Sequence, residues 1–280
     1  MQETDLAATI LGHVMVASAR LDHAAARNRD RWRVFLYGLA SEALSTDELE
    51  ALTIRLYGHA PNRYTSRTLH DWEAALFARE LPAPPASVLV TAAGSGREAR
   101  VLVERGYKVE ALEPVPAMAA SCASVPGVGA VWTADHDDLV AAVETRTGPA
   151  AALADRRFDA VVVGWGSFTH ILTRERQRRL LAACDRLAPS GPVLISFFTR
   201  GEGLGRRPRA FEAGARLGRR LAARRGVAPK DQWIGFAWHL GFTYPYTAEE
   251  IEGLAAGVGR TADVAMTPYG HAALRPTGKT

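Results

Sequence analysis

Two hydrophobic rhythms divide this chain. Up to about residue 80, apolar positions recur every three or four residues, in Leu6–Ala26 and again in Trp32–Leu44, the stripe of an amphipathic helix. Ser45 with Glu48 reads as a capping box that opens a further helix to about Tyr57. Pro61-Asn62 interrupts the pattern, Thr68–Arg79 resumes it, and the Pro-rich Leu81-Pro82-Ala83-Pro84-Pro85 marks a boundary. From Ser87 onward, short continuous apolar runs alternate with helical stretches. Val88–Thr91, Tyr107–Leu112, Gly129–Thr133, Phe158–Gly164 and Pro192–Phe198 read as strands, with helices at Arg97–Arg105, Val115–Ala123 and Arg174–Leu187. The unbroken apolar run at Phe158–Gly164 suits a central parallel strand covered on both faces. Near the end, Thr247 and Glu250 cap a short helix to about Ala256. Two closely spaced β-runs follow, Ala262–Met266 and His271–Leu274, which predict a closing hairpin. The alternation predicts an α/β protein with a doubly wound sheet, its ligand bound at the carboxyl ends of the strands. A helical N-terminal cap over residues 1–85 precedes the sheet domain over 86–280, and residues 200–246 form an insertion in that domain.

The most informative segment is the first strand–turn–helix, Val88 to Glu98, with its turn Ala92-Ala93-Gly94-Ser95-Gly96. Gly94 and Gly96 let backbone approach a ligand without a Cβ in the way. The next strand ends on a carboxylate, Glu113, followed by Pro114, and an acid there can accept hydrogen bonds from ribose hydroxyls. Together these predict a nucleoside-cofactor site without saying which nucleoside.

Composition changes the picture little. The chain is 48% hydrophobic and 23% charged, as ordinary globular proteins are, and no run approaches the roughly 18 apolar residues of a membrane span. The N-terminus, Met1-Gln2-Glu3-Thr4-Asp5, lacks the basic start of a secretory signal, so the expected location is cytoplasmic. Cys122 and Cys184 are too few for a disulfide framework or a four-cysteine zinc site. The net charge of +4 comes almost wholly from arginine, and it is uneven: residues 200–230 hold ten basic residues against two acids. That local excess of eight leaves the remainder of the chain net acidic.

With the turn, Glu113 and the closing hairpin in place, residues 86–275 resemble the class I S-adenosylmethionine-dependent methyltransferases, which are Rossmann-like. The resemblance implies a seven-stranded, mostly parallel sheet with an antiparallel last strand, and S-adenosyl-L-methionine as cofactor with S-adenosyl-L-homocysteine as product. It implies cofactor contacts from Ala93, Gly94, Ser95, Gly96, Glu113 and Pro114. Asp135, with His136 after it, lies where the family meets the adenine amino group, and Trp165-Gly166-Ser167 follows strand four, where the family lines the space beside the methyl group. Two departures stand out: the family's first glycine is Ala92 here, and its acid on strand one is replaced by Val90 or Thr91. A nicotinamide oxidoreductase is the alternative, since Gly94-x-Gly96-x-x-Ala99 also satisfies the dinucleotide pattern. Against it, the chain has no Tyr-x-x-x-Lys pair after strand four, and Asp135 would have no use.

Methyl transfer is an in-line displacement, so the protein must position a nucleophile and accept its proton where one is lost. His170, just past strand four, is the candidate base, with a helix-capping role as the alternative. Trp165 either closes the pocket on adenine or belongs to the core. The candidate substrate residues are Tyr64, in the loop before Thr68, and Trp233, Trp238 and His239 in the 200–246 insertion. The basic helix Arg206–Arg225 reads as a solvated cap helix, a wall for an anionic or aromatic small molecule, or an RNA contact. The Asp/Asn-Pro-Pro-Tyr run of base-amino methyltransferases is absent, and no acid or histidine cluster suggests a metal. The expected substrate is therefore a small molecule or peptide-like metabolite, methylated on a hydroxyl, carboxyl or amine, with nucleic acid disfavoured and no membrane partner.

Overall fold

The computed structural model describes residues 25, 26, 28–59, 68–200, 208–230, 232–237 and 241–278. The chain divides into two compact units, one of Met1–Ser45 with Gly203–Pro229, the other of Thr46–Glu202 with Lys230–Thr280. This division does not follow a boundary at residue 85. The two helices between Thr46 and Glu80 belong with the sheet, and only part of the 200–246 insertion leaves it. The predicted helix over Leu6–Ala26 lies almost wholly outside the described residues.

In the first unit, helix α1 (28–43) packs against a helix of residues Arg209–Arg225, called α8 below. The latter buries Phe211, Gly214, Ala215 and Gly218 and turns its arginines outward, the amphipathic arrangement expected of a solvated helix. Contact is backbone to backbone: a Cβ on Gly214 would stand 2.0 Å from the Phe35 carbonyl oxygen, and one on Gly218 2.5 Å from that of Leu39.

The second unit begins with α2 (Thr46–Gly58) and α3 (Asp71–Glu80). The alternating section follows as β1 (Ser87–Thr91), α4 (Arg97–Glu104), β2 (Lys108–Leu112), α5 (Pro116–Ala123), β3 (Val128–Trp132), α6 (His136–Thr145), β4 (Ala160–Val163), α7 (Arg174–Leu187) and β5 (Val193–Phe197). After α8 come β6 (Gly235–Ala237) and β7 (Gly241–Thr243), then α9 (Ala248–Ala256), β8 (Arg260–Ala265) and β9 (Gly270–Pro276). The sheet has seven strands in the order β3-β2-β1-β4-β5-β9-β8, and β9 runs antiparallel to both of its neighbours. This is the predicted architecture, hairpin included. The β6–β7 pair forms a separate antiparallel ribbon that the apolar pattern did not announce.

Burial explains the strand readings. Strand β4 is buried at every position and β5 likewise, as central parallel strands must be, whereas edge strand β3 is only partly covered. The cap predicted at Thr247 reappears, with Thr247 Oγ1 accepting from the Glu250 amide, and a further capping box that the sequence reading did not single out joins Asp135 and Asp138.

The antiparallel end of the sheet is held by Arg260, whose side chain is fully buried. It donates to the carbonyl oxygens of Ala188, Gly191 and Leu274 at 2.6 to 3.0 Å and pairs with Asp185 at 2.7 Å. These bonds join the end of α7 and the turn before β5 to the last two strands. Arg260→Met would remove three buried donor contacts and the partner of Asp185. It should lower stability by about 3–5 kcal/mol and the melting temperature by roughly 10 °C, read by thermal denaturation followed by circular dichroism.

Candidate active site

At the carboxyl ends of β1, β2 and β3 the turns converge on a cavity of about 360 Å³. One wall is the turn after β1. Ala92 there has φ of +49°, the left-handed region that glycine occupies without cost, so the sequence departure from glycine is a point of local strain. Gly94, at φ +56°, lines the cavity, and a Cβ on it would touch nothing within 4 Å. Gly96 caps α4 for a different reason: a Cβ there would stand 3.1 Å from Cα of Cys122, so it serves the packing of α4 on α5. Ala93 is buried and its amide donates to Leu112, and Ser95 is half-buried; neither they nor Gly96 line the cavity.

The second wall comes from the end of β2. Glu113 is 4% exposed, and its two oxygens accept from the amides of Gly94 at 2.8 Å and Val115 at 2.9 Å. Burial pushes its carboxyl above the usual range, and the two amides oppose that shift. Pro114, Val115 and Met118 continue this wall. Asp135 follows β3 and also lines the cavity, although its carboxylate already caps α6 by accepting from Asp138 at 2.9 Å. His136 lies beside it with Nε2 3.2 Å from the Thr91 hydroxyl, and burial pushes its imidazole down to about 4.

Past β4, Trp165 is 42% exposed at the cavity's edge, with the Arg97 guanidinium 5.4 Å from its ring centroid and the His70 ring 4.9 Å away. Its amide donates to Glu98, and Glu98 and Glu73 both pair with Arg97, so this edge is fixed by a buried ionic network. His170, in the short 3-10 turn Ser167–His170, lines the cavity. Its Nδ1 faces the Phe242 carbonyl at 2.8 Å, which only accepts, so Nδ1 carries the proton. Nε2 then accepts from the Tyr57 hydroxyl at 2.9 Å. Burial pushes this imidazole also down to about 4, so both histidines of the cavity are neutral across the physiological range.

An N-terminal helix was expected beside the substrate pocket, but the residues of this remaining wall were not singled out from the sequence. Helix α2 contributes Asp47, Glu50, Thr53, Ile54 and Tyr57, and α7 contributes Arg176. Arg176 pairs with Glu50 at 2.6 Å and with Asp47 and Asp137 at 3.0 Å each. Burial pushes the Glu50 carboxyl up to about 7 even with this partner and the Leu172 amide bound. Trp233 is not on the cavity wall; its indole lies against Gly235. Tyr64, Trp238 and His239 lie outside the described residues. Among the described residues no group of three or more His, Cys, Asp and Glu is placed to hold a metal ion, and no helix is long and apolar enough to cross a membrane.

No family model matches this sequence, and no curated protein matches it. Solved structures do. The SAM-bound amino pentose methyltransferase CalS10 from Micromonospora echinaspora is 20% identical over 81% of this chain and 97% of its own, with a TM-score of 0.50. The DhpI–SAM–HEP complex is 19% identical over 81% and 98%, with a TM-score of 0.53. A protein from Rhodobacter sphaeroides described as a putative Zn-dependent alcohol dehydrogenase is 16% identical over 81% and 98%, with a TM-score of 0.55. The chain has the class I methyltransferase fold. At these identities the likeness is one of fold, and the class I order, with β9 slotted antiparallel between β5 and β8, differs from the all-parallel dinucleotide-binding sheet.

Two outcomes follow from this geometry. In histidine-detected NMR titration, His136 and His170 should stay neutral from pH 8 down to about 5; an ordinary midpoint near 6.5 would contradict the burial argument. Ala92→Gly should raise stability by about 0.5–1 kcal/mol in chemical denaturation, because relief of the left-handed strain outweighs the added backbone entropy.

Proposed function

We propose that the protein is an S-adenosylmethionine-dependent methyltransferase acting on a small molecule or peptide-like metabolite in the cytoplasm. One observation carries this reading: within the class I methyltransferase fold, a single cavity at the carboxyl ends of the strands gathers Gly94, Glu113, Pro114, Asp135, His136 and Trp165. The donor set suits that cofactor. Glu113 and Asp135 are acceptors, as a ribose diol and an adenine amino group require, and each oxygen of Glu113 keeps a lone pair beyond its amide bond. Gly94 leaves room for close backbone approach. When bound, the cofactor supplies an electrophilic methyl group on sulfur.

The protein's own residues orient and exclude. Trp165 and the Arg97 network close one edge of the cavity, while α2 closes the other with Ile54 and Tyr57. His170 faces the same space, and its neutral state makes it a hydrogen-bond acceptor rather than a strong base. The outward arginines of α8 lie in the other unit, and two of them, Arg219 and Arg225, have local partners in Glu42 and the Ala43 carbonyl, which favours a small-molecule substrate over RNA. Both cysteines are free and buried, which suits a reducing compartment.

Isothermal titration with S-adenosylmethionine, S-adenosylhomocysteine and NADPH tests the assignment. Micromolar binding of the first two without the third is expected, and binding of NADPH alone would overturn it. Glu113→Gln keeps the side-chain size but turns an amide donor toward a backbone N–H. It should weaken S-adenosylhomocysteine at least about tenfold, and unchanged affinity would remove Glu113 from the site.

A further inference from the structure

The polarity of His136 says more than its position. Thr91 ends β1 and is fully buried, and it is not on the cavity wall. Among the described residues its hydroxyl has one hydrogen-bond partner, Nε2 of His136 at 3.2 Å. A threonine hydroxyl carries one proton, and leaving it buried without an acceptor costs about 1–3 kcal/mol. The hydroxyl therefore donates, and Nε2 accepts. The imidazole is neutral, so its single proton sits on Nδ1. Nδ1 has no partner among the described residues, and His136 lines the cavity. The strand end that lacks the family's acid thus holds a hydroxyl that selects a tautomer.

Other donors on the same wall are committed. Ser167 gives its hydroxyl proton to the Gly164 carbonyl, Thr53 gives its own to Leu49, and His170 Nδ1–H goes to Phe242. Arg176 is paired with three carboxylates. Asp135, next to His136, accepts from the Asp138 amide through Oδ1, and its Oδ2 takes no hydrogen bond. Two consecutive residues on the wall therefore offer one acceptor and one donor. Adenine complements that pair: its amino group donates, and the ring nitrogens N1 and N7 that flank it accept.

Resting on the methyltransferase reading, we propose that His136 Nδ1–H binds the cofactor's base, donating to one of the two ring nitrogens that flank the amino group received by Asp135. Thr91 is the positioning residue that keeps the proton on Nδ1. The cofactor's carboxylate could also accept an N–H, but it would then lie beside Asp135 and Asp137, where like charges repel. A base nitrogen carries no such charge. Substitution of Thr91 would therefore act on base recognition from outside the cavity.

Two measurements test this. Long-range proton–nitrogen NMR of the ligand-free wild type should show a pyridine-type Nε2 and a pyrrole-type Nδ1 at His136, assigned by their loss in His136→Asn; the reverse pattern overturns the proposal. Thr91→Val should move that pattern toward the average of the two tautomers, and an unchanged pattern removes Thr91 from the device. Titration calorimetry then compares S-adenosylhomocysteine with its 1-deaza and 7-deaza analogues, in which a C–H replaces one flanking nitrogen. In the wild type one analogue should bind about tenfold more weakly than S-adenosylhomocysteine, and the other within about threefold of it. In His136→Ala all three should bind within about threefold of one another, because the donor is gone. His136→Asn, whose amide nitrogen branches from Cγ as Nδ1 does, should keep most of the difference, which a merely structural histidine would not explain. If His136→Ala does not fold, His136→Phe keeps the ring volume and makes the same comparison. Equal binding of all three ligands to the wild type, or a difference that survives loss of the imidazole, overturns the proposal and leaves the methyltransferase reading intact. If S-adenosylhomocysteine does not bind the wild type, it is the methyltransferase reading that fails.

Discussion

The carboxylate of Glu113 is the constraint on which the site depends. Its two oxygens take the amides of Gly94 and Val115, and so bolt the turn after β1 to the turn after β2. With that bond in place, the chain between Thr91 and Gly96 has little choice of path. Ala92 is held left-handed, Gly94 faces the cavity, and Gly96 is pressed onto α5. The same side chain thus shapes the cavity and offers its remaining lone pairs to whatever enters.

Opposite it, α2 is fixed by a different kind of bond. Thr53 and Tyr57 bind the β6–β7 ribbon and the turn after β4 through groups whose donor and acceptor roles are all determined by their neighbours. Glu50 and Asp47 hold Arg176 on the same wall. The cavity is therefore bounded by two rigid surfaces, one made by backbone turns of the sheet and the other by side chains of one helix.

The sheet was legible because its signals are local: continuous apolar runs, glycines in turns and capping boxes each report on a few neighbouring residues. The hairpin at residues 260–276 and the turn at 92–96 were readable for that reason. Glu113 and Asp135 were placed on the cavity by their position after strands two and three. Tyr57, Glu50 and Arg176 were not readable, because nothing within α2 says that its polar face covers a site made 40 to 130 residues later. His170 was found, but its state was not: that is set by Phe242, 72 residues away, and by burial that no local pattern encodes. The partner of α1 was not readable for a similar reason, since it is a helix inserted after β5.

That insertion has a consequence for synthesis. Helix α1 is made well before α8, so Phe35 and Leu39 wait for the glycine face of α8, which begins at residue 209. At about 5–20 residues per second, the ribosome takes on the order of ten to thirty seconds to supply it. The sheet strands between them are completed in that interval. The first unit can close only when the arginine-rich helix emerges, and the sheet is completed later still, when β8 and β9 follow.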